Sequence, residues 1–170
     1  MLSPSDALNK ILTHEALSYE EAYALCHSIL TGQVSPVQLS ALLVALRMKG
    51  ESVSEVCGAA QAMRDLSAKV DVSSLSYVVD TCGTGGDGVH TFNISTTAAF
   101  VAAAAGVRIA KHGGRSVSSS SGSADVLEAL GVNLQLNTQQ IAECIRSIGL
   151  GFMFAPNHHS AMRYAAPVRK

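Results

Sequence analysis

A glycine-rich segment at residues 83–88 has the composition of a phosphate-binding loop. It places four glycines in six residues, after a strand-like run at 77–79 and before a helix-like run that begins at Ser95. Glycines let main-chain amides approach an anion closely, and a helix N-terminus adds free N–H groups and a positive dipole end. The segment lacks the GK[ST] ending of a nucleoside-triphosphate loop and the GxGxxG spacing of a dinucleotide loop. A tight turn between a strand and a helix is the alternative interpretation.

A second candidate loop, residues 111–123, follows the strand-like run at 107–110. It contains two cations, Lys111 and Arg115, together with His112, six serines and three glycines. Arginine pairs with phosphate oxygens through parallel N–H groups, lysine supplies a point charge, and serine hydroxyls complete the shell. Neighbouring parallel strands end at one edge of a sheet, so both loops are predicted to line one crevice. A polar surface loop without a ligand is the alternative.

Polar side chains also lie between the two loops. Asn93, Ser95 and Thr96 occur where the chain enters the predicted helix. Any of them could cap that helix. The Ser95 hydroxyl could equally bind a magnesium ion, which prefers oxygen ligands and often bridges to substrate phosphates.

The first 70 residues have the pattern of helices packed on helices. Serine-led capping boxes occur at 18–21 and 52–55, and proline occupies a first helical position at 35–36. A capping box pairs amides that a helix would otherwise leave unbonded, and proline is tolerated at this position. We therefore expect a helical domain at residues 1–70.

The pattern changes after residue 70, where strand-like and helical runs alternate. The strand-like runs are 77–79, 107–110, 133–136 and 151–154. Helices between buried strands predict a parallel sheet with right-handed crossovers. The expected fold is α/β, with an α/β domain at 71–156 after the helical domain. A final helix at 157–170 is expected to return to the helical domain.

Length and charge narrow the function classes. The chain has 170 residues, 12 basic and 13 acidic side chains, and a formal net charge of -1. This length buries a core without disulfides, and the charge balance excludes broad attraction to nucleic acids or membranes. The four cysteines form no CxxC pair, so no zinc site is predicted. With no signal-peptide pattern and no run long enough to span a membrane, we expect a cytoplasmic protein.

Several motifs together resemble one enzyme family. They are GTGGDG at 83–88, NIST at 93–96, KHG at 111–113, RSVSS at 115–119 and SGSADVLEALG at 121–131, with LRMKG at 46–50 and FAPNH at 154–158. This set resembles the anthranilate phosphoribosyltransferase family of tryptophan biosynthesis. The resemblance implies a helical domain, the first part of a parallel-sheet α/β phosphoribosyltransferase domain, and a homodimer. It also implies Mg²⁺-dependent transfer of phosphoribose from 5-phosphoribosyl 1-pyrophosphate (PRPP) to the amine of anthranilate.

Matched by position, the resemblance assigns residues of both loops to PRPP. They are Gly83, Gly86, Asp87, Thr91, Asn93, Ile94, Ser95, Thr96, Lys111, His112, Gly113, Gly114, Arg115, Ser116, Val117, Ser118, Ser119 and Ser123. It also gives Ser95 to the metal, and it places anthranilate near Gly83, His112 and Gly114, with its carboxylate on Arg169. No catalytic residue is assigned, because the amine is already a nucleophile and the leaving group mainly needs neutralisation and positioning.

Two residues depart from the family's pattern. Gly114 stands where the family usually has asparagine, and Ser120 stands where it usually has lysine. Both changes are expected to weaken substrate binding and to leave the fold intact, since glycine and serine are common loop residues.

Length is the third departure. Family members are about twice as long, and their second half carries an adjacent Asp-Glu pair that binds magnesium. The resemblance therefore implies the N-terminal half of such an enzyme, expected to be inactive alone and to expose an unfinished sheet edge.

Two other hypotheses about the function remain open. The first is a non-catalytic relative that binds phosphoribosyl or nucleic-acid ligands, although the net charge of -1 argues against a basic face. The second is a pyrimidine nucleoside phosphorylase, for which the motif at 83–88 is the wrong signature.

Overall fold

The computed structural model describes residues 2–83, 91–116 and 121–168. The chain divides into two compact units. One consists of Met1–Ser67 with His159–Lys170, and the other of Ala68–His158.

Four helices form the N-terminal part of the first unit: α1 (Pro4–Leu12), α2 (Tyr19–Leu30), α3 (Pro36–Lys49) and α4 (Val53–Asp65). Before each helix, a serine hydroxyl accepts a hydrogen bond from the third helical amide, and that residue's side chain accepts one from the serine amide. The capping boxes predicted at 18–21 and 52–55 are thereby confirmed. Two more, at Ser3 and Ser35, start α1 and α3.

The helical unit has a core of small and branched side chains. Its buried members are Ala7, Ile11, Leu17, Ala22, Leu25, Leu42 and Ala45. Helices α2 and α4 lie close together at Gly58, where an added Cβ would lie 2.8 Å from the amide nitrogen of Tyr23. Only glycine fits this contact without moving a helix backbone.

The C-terminal tail is not one helix over 157–170. It contains the end of a four-residue helix, Ala155–His158, and two 3-10 helices, Ser160–Tyr164 and Ala166–Val168. Pro167 is one reason for the interruption, because proline has no N–H and disfavours helical geometry in the residue before it. Within the first unit, the ring of Tyr164 lies against Gly32 at the end of α2.

The second unit contains a parallel sheet of three short strands: β1 (Val78–Val79), β2 (Arg108–Gly113) and β3 (Leu150–Phe154), in the order β1-β2-β3. Strand β2 pairs with both neighbours, with Val79 opposite Ile109 and Lys111 opposite Phe152. The α/β fold class with a parallel sheet is confirmed.

Helices connect these strands: α5 (Ile94–Ala104) lies between β1 and β2, while α6 (Ser123–Ala129) and α7 (Thr138–Ile148) lie between β2 and β3, and α8 (Ala155–His158) follows β3. Leu127 of α6 packs with Phe152 and Phe154 of β3 in the core of this unit. The chain reverses at the end of α7 through Gly149, which has a φ of 79°. That left-handed conformation favours glycine.

The strand predicted at 133–136 is wrong. These residues form a turn, in which Asn133 Oδ1 accepts a hydrogen bond from the Gln135 amide at 2.9 Å. Asparagine side chains commonly stabilise such turns. Leu134 is buried and Leu136 is partly buried, while Asn133 and Gln135 are exposed, so the alternation occurs here in a turn.

No helix in the described part of the chain is long and apolar enough to cross a membrane.

Candidate functional site

Lys111 lies at the centre of the site. Its position on β2 brings the side chain into the interior, where only 1% of the residue is exposed. The ammonium nitrogen donates hydrogen bonds to the carbonyl oxygen of Thr81 at 3.1 Å and to Ser95 Oγ at 3.2 Å. One buried cation thus connects the segment after β1 with the first turn of α5.

Burial lowers the pKa of Lys111, and the nearby charges of Asp80 and Cys82 partly oppose that effect. Among the described residues, no carboxylate lies within ion-pair distance of Lys111 Nζ. The ammonium is therefore solvated mainly by neutral oxygens. A desolvated cation of this kind interacts strongly with an anion that reaches it, because the surroundings screen the charge poorly.

The predicted glycine-rich loop begins at Gly83, beside Ser95, which binds Lys111. A Cβ added at Gly83 would lie 3.3 Å from Ser95 Oγ. The main chain of Gly83 therefore passes close to Ser95, and the lack of a side chain at Gly83 permits this close approach. Thr81 Oγ1 also donates a hydrogen bond to the Ser95 carbonyl at 3.0 Å.

The first turn of α5 carries the predicted NIST residues. Asn93 occupies the N-cap position, but its side chain makes no capping bond. Its amide nitrogen instead donates to Ser121 Oγ at 3.1 Å. The described ends of both predicted loops therefore meet at the N-terminus of α5, through Gly83 in one case and Ser121 in the other.

Thr96 has an unusual hydroxyl. The residue is 2% exposed, and its Oγ1 has no hydrogen-bond partner within the described ranges. Buried hydroxyls are ordinarily paired, so an unpaired one beside a predicted ligand site is available for a ligand or water. Ile94, by contrast, is 55% exposed.

Arg115 is paired with two carboxylates of α6. Its guanidinium donates to Glu128 at 2.7 and 2.9 Å and to Asp125 at 3.0 Å. The guanidinium carbon also lies 5.8 Å from the ring centre of Phe154. These bonds raise the pKa of Arg115, with Glu128 as the largest cause and Asp125 next. The structure thus gives Arg115 protein partners where the sequence predicted a phosphate.

The remaining described residues of the second loop lie near β2 and β3. The ring of His112 is 5.8 Å from that of His158, and the His112 amide donates to Asp80 at 3.2 Å. Among the described residues, a Cβ added at Gly114 would meet only Ala155 Cβ, at 3.8 Å. An asparagine side chain at position 114 would therefore have room at its base.

Several predicted site residues lie outside the described residues. They are Gly86, Asp87, Val117, Ser118, Ser119 and Arg169. Thr91 lies within the described residues and is exposed to solvent.

Sequence reasoning missed three residues of this region. Thr81 binds Lys111, and Asp125 and Glu128 bind Arg115. Asp125 follows Gly122 by three residues, the spacing of a capping box, and Glu128 is one helical turn further on. Those spacings were the available signal for the two carboxylates.

A pocket of about 350 Å³ opens beside the end of β3. Its lining includes Met153, Phe154 and His158, together with Asn137 and Thr138 at the start of α7. None of these residues belongs to the predicted PRPP set.

The donor set fits a magnesium ion only if the substrate supplies most of its ligands. The described residues contain no group of three or more histidine, cysteine, aspartate or glutamate side chains that could hold a metal ion. Ser95 offers one hydroxyl oxygen, which Lys111 already contacts. Magnesium commonly keeps several waters and binds substrate phosphates, so one hydroxyl is a compatible contact.

Family models cover nearly the whole chain. A glycosyl transferase family α/β-domain model matches residues 75–170, and the helical bundle domain of the same family matches residues 5–67. The chain belongs to this glycosyl transferase family.

Individual relatives are more specific. An anthranilate phosphoribosyltransferase of Chromobacterium violaceum is 62% identical over 170 residues, which are 100% of this chain and 50% of the relative. The crystal structure of the Thermus thermophilus enzyme has a TM-score of 0.87 and 48% identity, over 96% of this chain and 50% of that one. The Saccharomyces cerevisiae enzyme in complex with PRPP and Mg has a TM-score of 0.87 and 30% identity, over 98% and 50%.

These comparisons confirm the resemblance to anthranilate phosphoribosyltransferases. The chain spans about half the length of the curated relatives it matches.

Proposed function

We propose that the complete gene product transfers phosphoribose from PRPP to the amine of anthranilate, in the cytoplasm. The observation that carries this proposal is the junction of Lys111, Ser95 and Gly83, because it puts a buried cation, a hydroxyl and a glycine backbone at one sheet edge. The similarity to relatives named anthranilate phosphoribosyltransferase supports the choice of these two substrates.

The chemistry suits a site without a nucleophilic side chain. The amine nitrogen of anthranilate forms a bond to the ribose anomeric carbon, and the bond from that carbon to the pyrophosphate oxygen breaks. The bonding electrons leave with pyrophosphate, and the amine releases a proton to solvent. The protein's task is to hold both substrates in line and to compensate the leaving group's charge.

Described residues can be assigned to that task. Lys111 provides a buried positive charge that pairs with no carboxylate among the described residues, and Thr96 offers a hydroxyl that has no hydrogen-bond partner among them. Ser95 would contact magnesium, and the metal would neutralise charge on the diphosphate. Asn93 links the first turn of α5 to Ser121 and keeps the two loops together.

A homodimer is part of the proposal. On α3, Val37, Val44 and Met48 share one helical face and are 80%, 59% and 80% exposed. Val53 and Val56 on α4 are 80% and 56% exposed. Apolar exposure of this extent in a helical unit is typical of an interaction surface. Sedimentation equilibrium of the complete gene product should give twice the chain mass, and a monomer across the concentration range would contradict the proposal.

The activity is tested by mixing anthranilate, PRPP and Mg²⁺ with the complete gene product. We expect anthranilate to be consumed and pyrophosphate released in equal amounts. No consumption of anthranilate would overturn the proposal, and phosphorolysis of a pyrimidine nucleoside would replace it. The 170-residue chain alone is expected to show no turnover.

A further inference from the structure

One carboxylate, that of Asp125, holds the two stems of the second loop together. Its Oδ2 atom accepts hydrogen bonds from the Ser116 amide at 2.9 Å and the Gly122 amide at 2.8 Å. Those amides belong to the two stretches of chain that flank residues 117–120. Its Oδ1 atom is bound by Arg115 at 3.0 Å.

The two stems are also packed without room for a side chain. A Cβ added at Gly122 would lie 2.5 Å from the Ser116 nitrogen and 2.6 Å from the Gly114 carbonyl oxygen. The Ala124 amide donates to that same carbonyl oxygen at 3.0 Å. The Asp125 bonds therefore hold residues 114–116 and Gly122 together, main chain against main chain; we call this part of the loop the closed base.

The two backbone bonds and Arg115 favour the charged form of the Asp125 carboxylate, and Glu128 orients Arg115. The backbone bonds from Gly122 and Ser116 are the largest causes that lower the pKa of Asp125, and Arg115 lowers it further. Glu128 fixes the guanidinium through two parallel bonds. Because Arg115 offsets negative charge here, the carboxylates do not repel a nearby phosphate as strongly as they would alone.

The closed base is connected to the candidate site at two places. Ser121 binds Asn93 at the N-terminus of α5. Ser123 lies against the end of β2, where a Cβ added at Gly113 would be 3.0 Å from Ser123 Cβ and 3.3 Å from its Oγ. A change in the base would therefore shift Ser121 beside α5 and Ser123 beside the end of β2.

We propose that Asp125 is a positioning residue for PRPP: by tying the Ser116 and Gly122 amides together, it fixes Ser121 beside the start of α5 and Ser123 beside the end of β2, and Arg115 acts through it. This inference rests on the proposed function. It reassigns Arg115 from the substrate to the support of the loop.

The test compares four variants of the complete gene product. Asp125→Ala removes both backbone bonds, whereas Asp125→Asn keeps one oxygen able to accept both and replaces the oxygen that binds Arg115 with an NH2 group, which cannot accept. Glu128→Gln weakens the hold on Arg115. Glu143→Gln is the matched control, because Glu143 pairs with Arg146 on the surface of α7 at 3.8 Å.

Steady-state kinetics separates positioning from simple destabilisation. For Asp125→Ala we expect the KM for PRPP to rise about tenfold, about 1.4 kcal/mol, with kcat and the KM for anthranilate within about twofold of wild type. Asp125→Asn and Glu128→Gln should raise the KM for PRPP only about two- to threefold. Glu143→Gln should change none of these values.

Two results would overturn the inference. One is an unchanged KM for PRPP in Asp125→Ala. The other is a lower melting temperature with both KM values raised alike. If Asp125→Ala does not fold, amide hydrogen exchange of the wild-type protein decides. Ser116 and Gly122 amides that exchange as fast in wild type as in unfolded chain would refute the closed base. A wild-type protein that does not bind PRPP overturns the proposed function, and is recognised before any variant is made.

Discussion

Glu55 provides the sharpest test of how the helical unit is held together. Burial by itself raises the pKa of this carboxyl, but hydrogen bonds from the Leu17 amide, the Ser52 amide and Lys49 outweigh it and lower the pKa to about 2. The three bonds measure 2.9, 2.7 and 2.9 Å. Glu55 thus joins the start of α4 to the chain before α2 and to the end of α3.

The size of the effect follows from the pKa difference. Lowering the pKa from the ordinary 4.5 to about 2 corresponds to about 3 kcal/mol of stability at neutral pH. Because the folded-state pKa is depressed, this contribution is complete above the unfolded value and is lost as pH falls through the folded value. By linkage it should fall to about 1.5 kcal/mol at pH 3.

The perturbation is Glu55→Gln, which keeps the shape and removes the charge. It also leaves the buried Lys49 ammonium, whose side chain is 7% exposed, without its carboxylate. Urea unfolding followed by circular dichroism at pH 7 should show a loss of about 3 kcal/mol, and the difference from wild type should shrink by about half at pH 3. Glu51→Gln, at an exposed neighbouring carboxylate, is the control and should change stability little. A loss below about 1 kcal/mol, or a loss independent of pH, would refute this reasoning.

Two further predictions concern the site and the helix contact. Lys111→Met should weaken PRPP binding to the complete gene product at least tenfold by calorimetry, because the buried cation is removed. The control Lys69→Met, at an exposed lysine, should leave the affinity unchanged. Equal PRPP affinities of Lys111→Met and wild type would show that Lys111 is not part of the site. Gly58→Ala should destabilise the helical unit by about 1–3 kcal/mol in urea unfolding, since the new methyl group meets the Tyr23 amide. The control is the reverse exchange on the exposed side of α4, Ala60→Gly, which should destabilise the unit by only about 1 kcal/mol. A smaller effect at Gly58 than at Ala60 would contradict the close contact between α2 and α4 at Gly58.

Local signals predicted most of the fold. The serines before α2 and α4 act on amides three residues away, so their effect is contained in a short stretch of sequence. The wrong prediction at 133–136 arose because strand formation depends on residues outside the segment. Four alternating residues satisfy the strand pattern, but a strand also needs a neighbour, and the Asn133 side chain made a turn more favourable there.

The candidate site also has features that the sequence predicted and features that it did not. The residue types of both loops, and their place after strands, predicted which segments would approach each other. The Arg115 partners were not predicted, because a guanidinium binds a carboxylate as well as a phosphate and sequence does not say which is nearer. The tail at 157–170 was likewise misjudged as one helix.

By itself, the sequence determined the starts of α2, α3 and α4, the parallel α/β plan and the glycine-rich segments that follow β1 and β2, because each depends on residues a few positions apart. Only the tertiary structure decided that Lys111 is buried between Thr81 and Ser95, and that Asp125 ties the stems of the second loop. Those contacts join residues that are distant in sequence or compete with other partners. Which contact forms depends on the packing of the strands and helices that bring the groups within reach of each other.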